Sequence, residues 1–290
     1  MKHIGYTPGA RIVFAETFGY PWNVHSHSLG KSGDSWSIEL KGVSQVWLSV
    51  TSGFVAAAEA NGAIRIFRAR DDGIEDYATV DGWQVNQWQP AAVSGDGRYA
   101  AWFCPPLATT PHRILWREIN QSKTDEAFRP YEHVKWLQFS NDGNLLFAAG
   151  GRSLTAWSMK SKESVATRQI PVDLRTSQLG ENCRFLVCSA DGRYVSIGME
   201  DRCFLWEPGP GKLQFAMARR FKTAAFALDS RLLAFASGNR VEIWEINPSR
   251  CLRAYEWPIE QIHCLAFSPD GLTMAAGGVG GIVIWDLDDL

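Results

Sequence analysis

The chain has 290 residues, 46% of them hydrophobic and 12% aromatic, with 29 Lys and Arg against 31 Asp and Glu. A net charge of −2 supplies no global positive field, which argues against sequence-independent nucleic-acid binding. No run approaches the roughly 20 apolar residues that cross a bilayer, and residues 1–6 (MKHIGY) carry no apolar signal core, so a soluble, cytoplasmic protein is expected.

In chain order the sequence reads as short apolar runs, each too short for a globular helix, bounded by turn residues. The first copy has residues 4–6, the turn Thr7-Pro8-Gly9, then 11–15 and 22–28, with His25 near its end. The second spans 46–68, with the turn Thr51-Ser52-Gly53 and Phe67 as its closing aromatic. The third, 88–118, turns at Ser94-Gly95-Asp96-Gly97, carries a longer loop over 104–111 and closes on Trp116. Residues 133–159 close on Trp157, 183–207 on Trp206, and 221–245, with Asp229-Ser230 in the turn, on Trp244. The last copy, 262–287 (IHCLAFSPDGLTMAAGGVGGIVIWDL), is the clearest. Its turn Ser268-Pro269-Asp270-Gly271 combines a fixed φ, a side chain that bonds back to its own backbone, and a residue that tolerates positive φ. A fourth candidate strand lies between copies, as at 35–40, 164–170, 213–218 and 251–255.

Seven copies about 40 residues apart, several strands each, have the period of propeller blades. Approximate blades are 1–42, 43–84, 85–132, 133–178, 179–220, 221–259 and 260–290 of one domain. The repeats resemble the WD40-repeat family over nearly the whole chain. Trp285-Asp286 keeps the literal Trp-Asp pair, and Trp206-Glu207 and Trp244-Glu245 keep a variant of it. The His–Ser/Thr–Asp–Trp set that braces family blades is fragmentary: His133 and Asp201 stand at the expected places, in different copies. The resemblance implies an all-β, seven-bladed WD40-type β-propeller. An alternative stays open, because the last copy shows three strands. Residues 35–40 could complete it, giving six blades and an N-terminal appendage over 1–34. Seven is preferred because residues 1–40 scan as a full four-strand unit.

Near the start of the first strand in the last four copies stand Lys135, Arg184, Lys222 and His263. In the family such positions approach the mouth of the central channel. Three fixed positive charges and a titratable one could hold an acidic or phosphorylated peptide through charge-assisted hydrogen bonds. The competing reading is a solvated rim with charges paired to carboxylates such as Glu132 and Glu260. Trp83, in the stretch 81–88, and the Pro-stiffened loop 104–111 are candidate partner contacts, since aromatic anchors are enriched at interfaces; Trp83 packed back on its own blade is the plainer alternative.

Six cysteines lack any CxxC spacing and read as buried small hydrophobes. His25-Ser26-His27 puts two imidazoles on one side of a strand, without a third ligand. Asp71-Asp72-Gly73 with Glu75-Asp76 reads as a solvated acidic loop rather than a calcium loop. No Gly-x-Ser-x-Gly elbow, P-loop or HExxH is present.

The sequence therefore favours a non-enzymatic scaffold, an interaction platform binding proteins or peptides within a multiprotein complex. No metal or cofactor is expected, and the domain itself is expected to be monomeric. The alternative is a propeller enzyme or small-ligand sensor using the channel mouth near Arg184 and His263. A chain that is one module of a larger assembly is a third possibility.

Overall fold

A computed structural model describes residues 3–6, 12–16, 22–27, 35–48, 53–70, 73–81, 90–106, 111–121, 126–130, 133–150, 153–169 and 183–288. Among them, strands form seven antiparallel sheets and no helix occurs. The first sheet is β1 (His3–Tyr6), β2 (Ile12–Glu16), β3 (Trp22–His27) and β4 (Trp36–Leu40). The second is β5 (Val43–Leu48), β6 (Phe54–Glu59), β7 (Ala63–Ala69) and β8 (Ile74–Asp81). The third is β9 (Ala91–Val93), β10 (Tyr99–Cys104), β11 (Arg113–Glu118) and β12 (Glu126–Phe128). The fourth is β13 (Trp136–Phe139), β14 (Leu145–Gly150), β15 (Ser153–Ser158) and β16 (Ser164–Gln169). The fifth is β17 (Phe185–Cys188), β18 (Val195–Gly198), β19 (Cys203–Glu207) and β20 (Lys212–Met217). The sixth is β21 (Thr223–Phe226), β22 (Leu232–Ser237), β23 (Arg240–Glu245) and β24 (Arg250–Glu256). The last has three strands, β25 (Gln261–Phe267), β26 (Thr273–Val279) and β27 (Gly281–Asp286). The strands β1 to β4 thus build a sheet of their own, and the six-blade alternative fails because β4 pairs with β3 and not with β27.

Two compact units are distinguished, one of residues 1–85 with 222–290, the other of 86–221. In the first, sheets stack face to face. Val13, Ala15 and Val24 pack on Val46, Val55 and Phe67, joining the first sheet to the second. Val241, Ile243 and Ala234 pack on Leu265, Met274 and Trp285, joining the sixth to the last. Ile4, Tyr6, Ile12 and Phe14 pack on Cys264, Ala266 and Ala275, so the last sheet lies against the first. The Tyr6 hydroxyl stands 3.4 Å from Thr273 Oγ1 at this seam, and burial pushes its pKa up. In the second unit, Phe103, Ile114 and Trp116 pack on Leu137, Phe139 and Trp157. Phe147, Ala149 and Leu154 pack in turn on Leu186, Ile197 and Phe204.

Sheets covered on both faces explain the sequence pattern. The second strands, FVAAAE in β6 and YAAWFC in β10, are buried at nearly every position, so they read as continuous apolar runs and not as alternation. Closing aromatics Trp116, Trp157, Trp206 and Trp285 are all buried.

The turn between the first two strands is held by one device in four sheets. Ser94, Ser140, Ser189 and Ser268 are buried, and each donates its hydroxyl to the Asp two residues on at 2.5–2.6 Å. Each hydroxyl also accepts the backbone N–H five residues on, at 2.9–3.0 Å. The Asp accepts a second N–H, two residues beyond itself. Gly97, Gly143, Gly192 and Gly271 complete the turn at φ near +70°. In the sixth sheet Ala227 replaces the Ser, and Ser230 takes the left-handed φ of 61°.

Two readings need correction. Glu75 and Asp76 belong to β8, not to a solvated loop: Asp76 pairs with Arg65 at 2.7 Å and Glu75 with Arg70 at 2.6 Å across the hairpin. Asp71 and Asp72 lie outside the described residues. The rings of His25 and His27 do share a side of β3, where both stack on Phe14, at 4.8 and 5.8 Å.

Cys104, Cys183, Cys203 and Cys264 are buried, Cys188 is half-buried and Cys251 is exposed. Burial pushes the Cys183 and Cys264 thiols up to about 12, while Cys251 is exposed. Titration of the native protein with a disulfide reagent should therefore label one fast thiol, lost in Cys251→Ala; rapid labelling of several would contradict this packing. Ser189→Ala should lower stability by about 1–3 kcal/mol, because the buried Tyr194 N–H loses its acceptor. A urea midpoint unchanged in this variant would show the turn is held by something else.

Candidate functional site

The site expected from sequence lies where first strands begin. In the 86–221 unit, the Lys135 N–H donates to Ala149 O at 2.9 Å and the Arg184 N–H to Gly198 O at 2.8 Å. These are equivalent rungs of adjacent sheets, since β13 packs against β17. The chain passes so close here that a Cβ on Gly150 would stand 1.9 Å from the His133 carbonyl oxygen. Only glycine permits that approach.

The Arg184 side chain is mostly buried and pairs through a terminal nitrogen with Glu200. Arg220 reaches the same carboxylate, at 3.1 Å. Its hydrogen bond with Arg184 holds the Glu200 carboxyl below the usual carboxylate range. Arg184 Nε is buried and has no hydrogen-bond partner among the described residues. Lys135 is half-buried. It stands near His133, whose pKa is lowered chiefly by burial, then by His112 and Lys135.

In the other unit, the Lys222 N–H donates to Ala236 O at 2.7 Å and its side chain is exposed. His263 occupies the matching place in the sequence, yet its backbone differs. β25 runs back to Gln261 across a β-bulge between Ile262 and Cys264, and His263 is the bulged residue. A bulge re-aims the side chain it carries. His263 Nε2 meets Gln261 Oε1 at 3.0 Å. β5 has the same irregularity at Ser44, whose hydroxyl donates to Ala58 O at 3.2 Å. Lys135 and Arg184 therefore precede the packed strands β13 and β17, and Lys222 precedes β21, which packs against the β25 that carries His263. Trp83 and Glu132 lie outside the described residues, as do 107–110 of the Pro-rich loop.

The partner of Arg184 is Glu200, which sequence reasoning missed. The signal was present: aligning the copies puts the 199–202 turn next to the start of β17. Asp201, at the place of the family's bracing Asp, is exposed and pairs with its neighbour Arg202 at 2.7 Å.

A second feature lies at the opposite ends of these strands. A cleft of about 380 Å³ is lined by Leu145, Val165, Arg193, Glu207, Pro208 and Pro210. Arg193 Nε donates to Glu207 Oε1 at 2.9 Å. This is a mixed surface with Arg193 and Glu207 already paired, and neither Lys135 nor Arg184 lines it.

Residues 249–286 match the family described as WD domain, G-beta repeat. The chain resembles a chain in the crystal structure of the mitotic checkpoint complex, with a TM-score of 0.72 at 13% identity, over 99% of this chain and 87% of that one. This likeness shows the fold, a seven-bladed β-propeller. It is shared with 1498 solved chains, so it specifies an architecture and not a role. No curated protein matches the chain.

Proposed function

We propose that this chain is a non-enzymatic interaction platform of the cytoplasm, one that holds acidic or phosphorylated segments of partner proteins at the starts of its first strands. The observation that carries the reading is the Arg184–Glu200–Arg220 cluster. Two guanidinium groups already share one carboxylate there, and Arg184 keeps a buried donor with no acceptor among the described residues. A carboxylate or phosphate from a partner would be received by the same fork geometry. Glu200 then acts as an internal competitor that a ligand displaces. WD40-type propellers mostly serve as interaction platforms, and the solved chain of similar fold belongs to a multiprotein complex; both are consistent with this role.

Affinity capture from cell extract with the parent chain, Lys135→Glu and Lys222→Glu tests the reading. Both variants should keep the parent melting curve and lose bound proteins. Binding of an acidic phosphopeptide should rise severalfold in Glu200→Gln, which frees Arg184, and fall in Arg184→Ala. Capture unchanged in both charge-reversal variants would refute the platform at this site.

A further inference from the structure

The last sheet stops at its third strand, and no described strand pairs with the outer side of β27. The consequence shows at one position. In four other sheets the residue before the closing aromatic, Ile66, Ala156, Leu205 or Ile243, is 0% exposed beneath a fourth strand. Its counterpart Ile284 is 43% exposed. In those four sheets the fourth strand is bulged at the same step, between that residue and the aromatic. The backbone also points outward. The Leu287 N–H donates inward to Leu272 O, so by antiparallel alternation Asp286, Ile284 and Ile282 turn their N–H and C=O groups to the open edge.

The chain's own fourth strands show what chemistry fits such an edge. At the rung after the closing aromatic, opposite charges face each other three times: Arg68 and Glu75, Glu207 and Lys212, Glu245 and Arg250. The last of these is an ion pair at 2.8 Å. The matching residue on β27 is Asp286, exposed, with exposed Asp288 beyond it. Counting from that rung in the four bulged sheets, the third residue of the fourth strand is Tyr77, Val165, Gln214 or Leu252 and the sixth Val80, Arg168, Met217 or Tyr255, apolar or aromatic in three of four at each position. A second copy of this chain does not meet these needs, because β27 (GIVIWD) has no cation to set against Asp286.

We propose that β27 accepts an extended segment of a partner protein as an antiparallel fourth strand, led by Lys or Arg opposite Asp286, with apolar residues at its third and sixth positions. Backbone hydrogen bonds would supply the affinity and the basic residue the register. The proposal rests on the reading that the chain binds proteins, but not on Lys135, Arg184 or Lys222.

The test is amide hydrogen exchange of the full chain with a capped synthetic peptide of the sequence Arg250–Glu256 (RCLRAYE) at millimolar concentration under reducing conditions. Exchange at Ile282, Ile284 and Asp286 should slow about twofold or more, as expected at half-saturation and above. Ile284→Pro removes one outward donor without touching the β26 ladder and should abolish the effect with the melting curve unchanged. A peptide with its first Arg changed to Glu should protect about threefold less, and Asp286→Lys should invert that preference. Exchange unmoved by the peptide would overturn the proposal. So would protection at these amides that rises with protein concentration alone, which would mean self-pairing. Lys135→Glu and Lys222→Glu should leave this exchange unchanged, so failure here and failure of the cation site are separable.

Discussion

A sheet that is apolar on both faces must be covered twice, and this requirement governs the chain. Inner positions such as Val55, Ala57 and Leu146 are fully or almost fully buried because a neighbouring sheet lies over them. The seam in the first unit is the demanding case. Ile4, Tyr6 and Ile12 meet Ala266 and Ala275, residues about 260 positions away in sequence. Closing so long a loop costs only slightly more than closing a short one, because the entropic penalty grows with the logarithm of length. Among the described residues no strand is exchanged at this seam. Side-chain packing and the contact between the Tyr6 hydroxyl and Thr273 Oγ1 hold it.

The turns fix what the packing leaves free. Stacked sheets would tolerate a slip along the strand if only apolar contact held them. The buried Ser hydroxyl, bonded to an Asp on one side and to a backbone N–H five residues on, pins the register of the first two strands. With register fixed at one end, the residue before the first strand is delivered to the same rung at the other end, as Lys135 and Arg184 show; Lys222 reaches the equivalent rung in the sixth sheet, where Ala227 replaces the Ser. Lys135 and Arg184 are thus placed by a turn on the far side of their sheets. The same register places Asp286 and Ile284 on the outer edge of the last sheet, so both proposed contacts depend on it.

Most of the fold was legible because it rests on local chemistry: apolar runs mark each copy, Ser-x-Asp-Gly turns mark four, and a closing Phe or Trp marks six. The fourth strands were harder to read. β8 begins with Ile74-Glu75-Asp76, and its charges are strand residues paired with Arg65 and Arg70, a fact that lies in cross-strand register and not in local composition. The site was legible by position and not by environment. Alignment of the copies finds Arg184, but its bond to Glu200 depends on how the 199–202 turn folds back. His263 shows the opposite limit, since a bulge leaves the sequence spacing intact while changing what the backbone presents.

The claim on which all of this depends is that the first sheet is covered by the last. Native-state hydrogen exchange in Ile12→Ala, which truncates a side chain buried in the seam, tests it directly. The account predicts that amides of β25 and β26 lose protection by the same increment as those of β1 and β2, on the order of 2–4 kcal/mol for a buried Ile truncation. Loss confined to residues 3–40, with the last sheet as protected as before, would contradict it.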